Sequence, residues 1–176
     1  MLIRLAHAGD LPALMTMLRR VIPLMHADGI AQWDDEYPTE AIFARDIEAG
    51  ELWVAEAEDG ALGGVIAVTT DQYLEYAHVG LDLSEPAIVA HRLADAPAFR
   101  GTGIAAALMQ QAETVAQARG IPILRVDTSA QNTAAQRLTA KLGYTFAGET
   151  NLGFRGGMRI FCYQKRLGGS PDGVPQ

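Results

Sequence analysis

Cysteine, basic residues and long apolar runs are all scarce in this chain, and each scarcity excludes something. One cysteine, Cys162, leaves no internal disulfide framework. It lies in the strand-like run Met158–Tyr163, where a buried, inert thiol is expected. Lys and Arg together number 14 against 21 Asp and Glu, a formal net charge of −7. No basic stripe appears, which argues against a nucleic-acid partner. No segment approaches the roughly 20 apolar residues of a membrane span. The opening Met1-Leu2-Ile3-Arg4-Leu5 is too short for the apolar region of a signal peptide. A cytoplasmic protein without a membrane partner is therefore expected.

What is present is a globular composition, 49% hydrophobic and 20% charged over 176 residues. One domain over 1–167 is expected, with a Gly- and Pro-rich C-terminal tail, 168–176, that reads as disordered. Carboxylates crowd the stretch from Asp28 to Asp59, where Arg45 is the lone base. That crowding reads either as a solvated acidic face or as an attraction for a cationic acceptor such as an amine.

Periodicity places the elements. Residues 2–6 read as a strand. Asp10 is positioned to cap a helix whose apolar face is Leu14, Leu18, Val21, Ile22 and Met25, and Pro23 should kink or end it. Thr39 caps a second helix closed by Gly50. Leu52–Glu58 and Leu62–Thr69 form a hairpin about Asp59-Gly60. Residues 70–85 carry no period and read as a loop or distorted strand. A strand over 86–94 follows, then a helix from Thr102 to Arg119, a strand over Ile121–Asp127, a helix over Asn132–Leu142, and two last strands over Tyr144–Glu149 and Met158–Arg166.

The chemistry concentrates at Arg100-Gly101-Thr102-Gly103-Ile104-Ala105. A strand, a glycine turn and a helix start with an arginine at the mouth suit a phosphate-bearing ligand. The first N–H groups of a helix lack intrahelical partners and carry the positive end of its dipole. A P-loop needs Lys and a hydroxyl residue after the last glycine, and Ile104-Ala105 are neither. A dinucleotide site fits Gly101-x-Gly103-x-x-Ala106 and Asp127 loosely. However, five residues, Ala96–Arg100, separate strand from glycine, and the antiparallel hairpin does not suit that fold. An acyl-CoA site is the third possibility, with Arg100 neutralising phosphate charge.

At this point the sequence resembles the GNAT acetyltransferases. Their Gln/Arg-x-x-Gly-x-Gly/Ala signature is matched by Arg100, Gly103 and Ala105. Their Asn-x-x-Ala-x-x-Leu-Tyr-x-Lys-x-Gly-Phe pattern is matched by Asn132, Ala135, Leu138, Lys141, Gly143 and, in the aromatic place, Tyr144. Gln32-Trp33 with Tyr37-Pro38, Leu62-Gly63-Gly64 and His91-Arg92-Leu93-Ala94 extend the likeness over most of the chain. The resemblance implies an α/β (α+β) fold, a mixed and mostly antiparallel sheet of about seven strands flanked by about four helices. It implies acetyl-CoA as co-substrate, no metal, and transfer of the acetyl group to a primary amine of a small acceptor. Many family members pair through their last strands, which makes a homodimer possible. Cofactor contacts are implied at Leu93, Ala94, Asp95, Arg100, Gly101, Thr102, Gly103, Ile104, Ala105, Asn132 and Ala135.

Transfer to an amine requires a free lone pair on a nitrogen whose ammonium has a pKa of about 10, polarisation of the thioester oxygen, and help for the leaving thiolate. Glu75, His91 and Asp95 are the candidate catalytic residues, with His78 also in reach of the role. Asp95 departs from the apolar residue that the family usually carries. Thr139 stands where many members carry a tyrosine as general acid, and Tyr144 and Tyr163 are the alternatives. Trp33, Tyr37, Tyr73 and Tyr76 are candidates for an aromatic acceptor wall, with Asp34, Asp35 and Glu36 beside it. The departure at Thr139 also leaves a non-catalytic acyl-CoA binding or sensing module of the same fold as the alternative function.

Overall fold

A computed structural model describes residues 1–168, so the tail expected to be disordered lies, apart from Gly168, outside the described residues. Seven strands form one sheet: β1 (Leu2–Leu5), β2 (Leu52–Glu56), β3 (Leu62–Thr69), β4 (Ile88–Asp95), β5 (Ile123–Ser129), β6 (Thr145–Leu152) and β7 (Met158–Arg166). Their spatial order is β1-β2-β3-β4-β5-β7-β6. All neighbours run antiparallel except β4 and β5, which are parallel. Four helices, α1 (Leu11–Ala27), α2 (Glu40–Glu48), α3 (Ile104–Arg119) and α4 (Thr133–Lys141), complete the expected α/β fold.

The alternation of side chains along a strand divides the core between the two faces. On one face Ile66, Val68, Ile88, Ala90, Leu124 and Val126 pack against Leu108, Met109, Ala112 and Ala116 of α3. On the other, Val54, Val65 and Ala67 meet Leu14, Leu18 and Val21 of α1 and Phe43 of α2. A third cluster continues that second face toward β7, where Val89, Ile160 and Cys162 pack with Tyr76, Leu81 and Leu152. Each fully buried Leu, Ile or Val contributes about 1.5–3 kcal/mol. The inner strands, covered on both faces, read as continuous apolar runs for this reason.

Three local expectations are corrected. Helix α1 does not end at Pro23 but runs on to Ala27. Pro23 removes the donor to the Arg19 carbonyl, and both residues are exposed, on the solvent side of the helix. Asp10 does not cap α1 with its side chain. Its carboxylate instead accepts from His7 N–H at 2.9 Å and takes two hydrogen bonds from Arg4 at 2.8 and 2.9 Å. Helix α3 begins at Ile104 rather than Thr102, because Gly101 and Gly103 hold φ of +76° and +89°, outside helical space.

The aperiodic stretch 70–85 is an ordered loop with a 3₁₀ turn over Leu74–Val79. Buried Arg125 on β5 closes it by donating to the Gln72 side chain and, at 3.0 Å, to Gln164. Gln72 in turn donates to the carbonyls of Leu83 and Glu85 at 3.4 and 3.0 Å. Side-chain amides thus replace the missing ladder, and no hydrophobic period is needed.

Candidate functional site

The parallel pairing of β4 with β5 stops after Ala90 and Val126. Past that point β4 is irregular. Ala67 faces His91 and Val65 faces Ala94, so Arg92 and Leu93 together stand opposite Ile66. Arg92 has φ of +54° and is the only non-glycine residue with positive φ among those described. A bulge of this kind bends its strand and re-aims its side chains. The two strands therefore part, and the β5-facing backbone groups of β4 beyond Ala90 have no sheet partner.

The α3 start lies beyond the far end of β4. Ala96 N–H donates to Gly63 O at 2.8 Å, and Thr102 caps its own turn by donating to Phe99 O at 2.6 Å. Gly101 and Gly103 have open space where a Cβ would stand, and their left-handed φ is one that only glycine adopts at little cost. The N–H groups of the first α3 turn, at Ile104 and Ala105, make no hydrogen bond to the described residues, and no side chain at Gly101 or Gly103 stands in front of them. Arg100 stands exposed beside them in a loose ion pair with Asp28 at 3.8 Å, too weak to hold it from another anion. Leu93 packs toward α3 and Ala94 toward α1. On the other side of the parting, Asn132 caps α4 by accepting from Ala135 N–H at 3.0 Å. Its Oδ1 and the Ala135 N–H are thereby occupied, and its amide N–H groups remain for a ligand.

A narrow cavity opens where the strands part, on the α1 and α2 face. Its walls include Trp33, Tyr37, Tyr73, His91, Arg92 and Asp127, with Leu152, Phe154, Arg155 and Met158 from the β6–β7 end. Trp33, Tyr37 and Tyr73 thus stand together as an aromatic wall. Tyr73 packs its ring 5.0 Å from His91 and 5.2 Å from Phe154. Tyr76 does not line the cavity. It is fully buried behind it and donates its hydroxyl to Asp127.

The candidate bases are distributed differently from the expectation. Glu75 sits on the 3₁₀ turn and is not among the cavity residues. His78 bonds Thr150 at 3.1 Å, also away from it. His91 does line the cavity, but its Nε2 meets the Asp71 carbonyl at 2.9 Å, and a carbonyl can only accept, so the proton is on Nε2. Burial pushes its pKa down to about 4, which makes it a neutral, weak base. Asp95 lies at the α3 end of β4, outside the cavity wall, with one carboxylate oxygen buried and unpartnered. Burial raises it to about 6 against the pull of Arg100.

Asp127 is the carboxylate that the expectation missed as a base. At the end of the β4–β5 pairing it faces the cavity, half-buried, and burial raises it to about 6 although the Tyr76 hydrogen bond pulls it down. Its one sequence signal was an acid ending an apolar strand. Two guanidiniums were missed as well. Arg92 donates to Asp46 at 2.8 Å and to the Tyr37 hydroxyl at 3.2 Å. Burial opposes its charge, but Tyr37 and Asp46 outweigh that and raise its pKa. Arg155 stacks 4.6 Å from the Tyr37 ring centre and donates to Gln32 O at 3.0 Å and Asp34 at 3.3 Å. Of the acidic collar only Asp34 reaches the site, and it is spent on Arg155. Asp35 and Glu36 are exposed and away from the walls.

The acid side is equally altered. Thr139 is buried and donates to Gln136 O at 2.9 Å inside α4. Tyr144 and Tyr163 belong to the core on the α3 face, and burial raises both phenols. Neither lines the cavity.

Comparison with known proteins agrees with this geometry. The model of the acetyltransferase (GNAT) family matches residues 18–144. Among solved structures, a GNAT-family acetyltransferase from Streptococcus agalactiae 2603 superposes with a TM-score of 0.81 at 28% identity, covering 96% of each chain. An acetyltransferase described as putative, from Staphylococcus aureus Mu50, gives 0.72 at 28% identity over 96% of this chain and 100% of that one. At 20% identity and a TM-score of 0.70, a Salmonella typhimurium protein solved with acetyl-CoA shares the fold over 99% of each chain. A search of curated proteins finds no match.

Proposed function

Since the chain belongs to the GNAT family of acetyltransferases, we propose that it binds acetyl-CoA between β4 and β5 and transfers the acetyl group to a primary amine in the cavity described above. The observation that carries this is the parting of the two strands, with an uncovered glycine-rich helix start at one end and a walled cavity at the other. The residues present fit the co-substrate. Phosphates suit the N–H groups at Gly103–Ala105 and the exposed Arg100, and an amide-bearing arm suits the β5-facing backbone groups of Leu93–Asp95 and the Asn132 amide.

Acetyl-CoA supplies an activated acyl group. The chain's own part is to hold the acceptor and dispose of a proton. The amine nitrogen bonds to the thioester carbonyl carbon, the C–S bond breaks, and the CoA sulfur leaves as thiolate. Once acylated, the nitrogen sheds a proton. Asp127 is the cavity carboxylate placed to accept it, and Tyr76 fixes its orientation. With Thr139 committed to its own helix, the thiolate takes its proton from water.

Calorimetric titration tests the first half. Acetyl-CoA should bind with a micromolar Kd, and Arg100→Ala should weaken it about three- to tenfold, as expected for one charge-assisted contact. Release of CoA thiol with an amine panel tests the second. Binding without thiol release from any amine would favour a sensing module over an enzyme.

A further inference from the structure

We infer that the acceptor carries a carboxylate beside its amine, with Asp127 taking the amine and Arg155 the carboxylate. The inference rests on the transferase reading above and specifies its acceptor. Two cavity groups of opposite sign carry it.

The two guanidiniums in the wall are not equivalent. Arg92 is consumed by the fold. Its side chain is only 8% exposed, and buried Asp46 at 2.8 Å cancels its charge while Tyr37 takes a second donor. Arg155 is held at one end alone. Both of its hydrogen bonds run from Nη2, and its only carboxylate partner, Asp34, is 47% exposed at 3.3 Å. Such a pair is worth about 0–1 kcal/mol and yields readily to a second anion. Nε and Nη1 make no hydrogen bond to the described residues. The guanidinium carbon lies 4.6 Å from the Tyr37 ring centre, and each two-donor edge of the fork includes Nη2, so a bidentate carboxylate takes the place of Asp34 on that nitrogen.

Arg155 also lines a second hollow with Met158, Ser129 and Gly157, and so stands between the cavity and the outer surface. Asp127 lies at the inner end, on β5, where the strands part. A zwitterion laid between them meets an anion at its amine and a cation at its carboxylate. Leu152, Phe154 and Met158 provide an apolar wall for a hydrocarbon side chain. An amine lacking the carboxylate leaves the Arg155 fork facing the acceptor with no anion to meet. A polyamine sets a second positive charge against it.

The test compares matched pairs: leucine with isoamylamine, methionine with 3-(methylthio)propylamine, phenylalanine with phenethylamine. Thiol release is measured for each, and binding of each to CoA-saturated protein is measured by calorimetry. At least one amino acid should exceed its amine about tenfold in kcat/KM, the size expected for a charge-assisted bidentate contact. In Arg155→Ala that ratio should fall toward one, and Arg155→Lys should restore only part of it. Retained acetyl-CoA binding would show that both variants fold. Turnover of the amines at rates equal to or above the amino acids would overturn the inference and leave the transferase reading standing. Amino-acid-selective binding without thiol release would support this acceptor site and overturn the transferase reading. Absence of both turnover and binding for every amino acid would overturn the inference.

Discussion

Asp127 shows how one residue's surroundings set both its chemistry and its cost. Its carboxyl titrates at about 6, raised by burial against the Tyr76 hydrogen bond. The groups facing it are Tyr76, Tyr73, Cys162 and the cavity arginines, and burial keeps the first three neutral at working pH, with the Cys162 thiol up at about 12. If Asp127 accepts the proton, kcat/KM should fall with two ionisations below pH 6, one from the acceptor amine and one from Asp127, and with one ionisation between pH 6 and the amine pKa. Asp127→Asn should lower kcat by about 10²-fold or more and remove the second ionisation. A profile of unchanged steepness in that variant would remove Asp127 from the role. The sign for stability runs the other way. A carboxyl raised in the folded state above its unfolded value of about 3.9 favours folding at low pH and loses that contribution as pH rises through 6. Asp127→Asn should therefore raise stability at pH 7, by on the order of 1 kcal/mol, while it lowers activity.

At the scale of elements, the site depends on how closely α3 approaches β3. Gly63 and Gly64 make that contact possible. A Cβ on Gly64 would stand 2.7 Å from Ile104 Cγ2 and 3.0 Å from both Ala94 O and Leu108 Cδ1. Ala94 O is β4 backbone and cannot swing aside, so the new methyl is pressed against Ile104 and Leu108 of α3, which must give way. Gly64→Ala should cost about 1–3 kcal/mol in denaturant unfolding through overpacking. Because Ile104 is the first residue of α3, the same change should weaken acetyl-CoA binding several-fold, read by calorimetry. Lost stability with an unaltered Kd would show that the α3 start does not hold the co-substrate. The Arg92–Asp46 pair is a second device of this kind. It ties the β4 bulge to α2 and, through Tyr37, to the loop before α2, so the irregular strand is held in shape from outside the sheet.

Over the whole molecule, the buried titratable groups oppose the usual acid destabilisation. Asp95 and Asp127 both titrate at about 6, and burial raises Asp46 as well. Between about pH 4 and 6 the folded chain therefore binds more protons at these sites than the unfolded chain, whose Asp residues titrate at about 3.9. His91 works in the other direction. With a folded pKa of about 4, it stays neutral where an unfolded histidine, at about 6.5, is already charged. The carboxyls outnumber it, so the melting temperature should rise modestly from pH 7 to about 5. It should drop below pH 4, where His91 charges and Asp10, held low by Arg4, loses its charge. Thermal scans across pH 4–8 check this, and a steady fall from pH 7 downward would contradict it.

The sequence by itself determined the elements and the glycine turn that opens α3. Alternating and helical apolar periods, the turn at Asp59-Gly60, and the spacing of Arg100, Gly103, Ala105 and Asn132 are local properties, carried by neighbours in the chain. The cavity was only partly legible. Trp33, Tyr37, Tyr73 and His91 were visible as types, but Arg155 lies over 100 residues from the Gln32 carbonyl it holds, and Asp127 meets Tyr76 across 51. Such partners are brought together by strand order and by the bulge at Arg92, and no local pattern records either. The tertiary structure alone decided which polar groups were spent on the fold, as Arg92 and Thr139 are, and which were left facing the cavity. A side chain's availability depends on what surrounds it in space, and that is settled only when the sheet closes over its core.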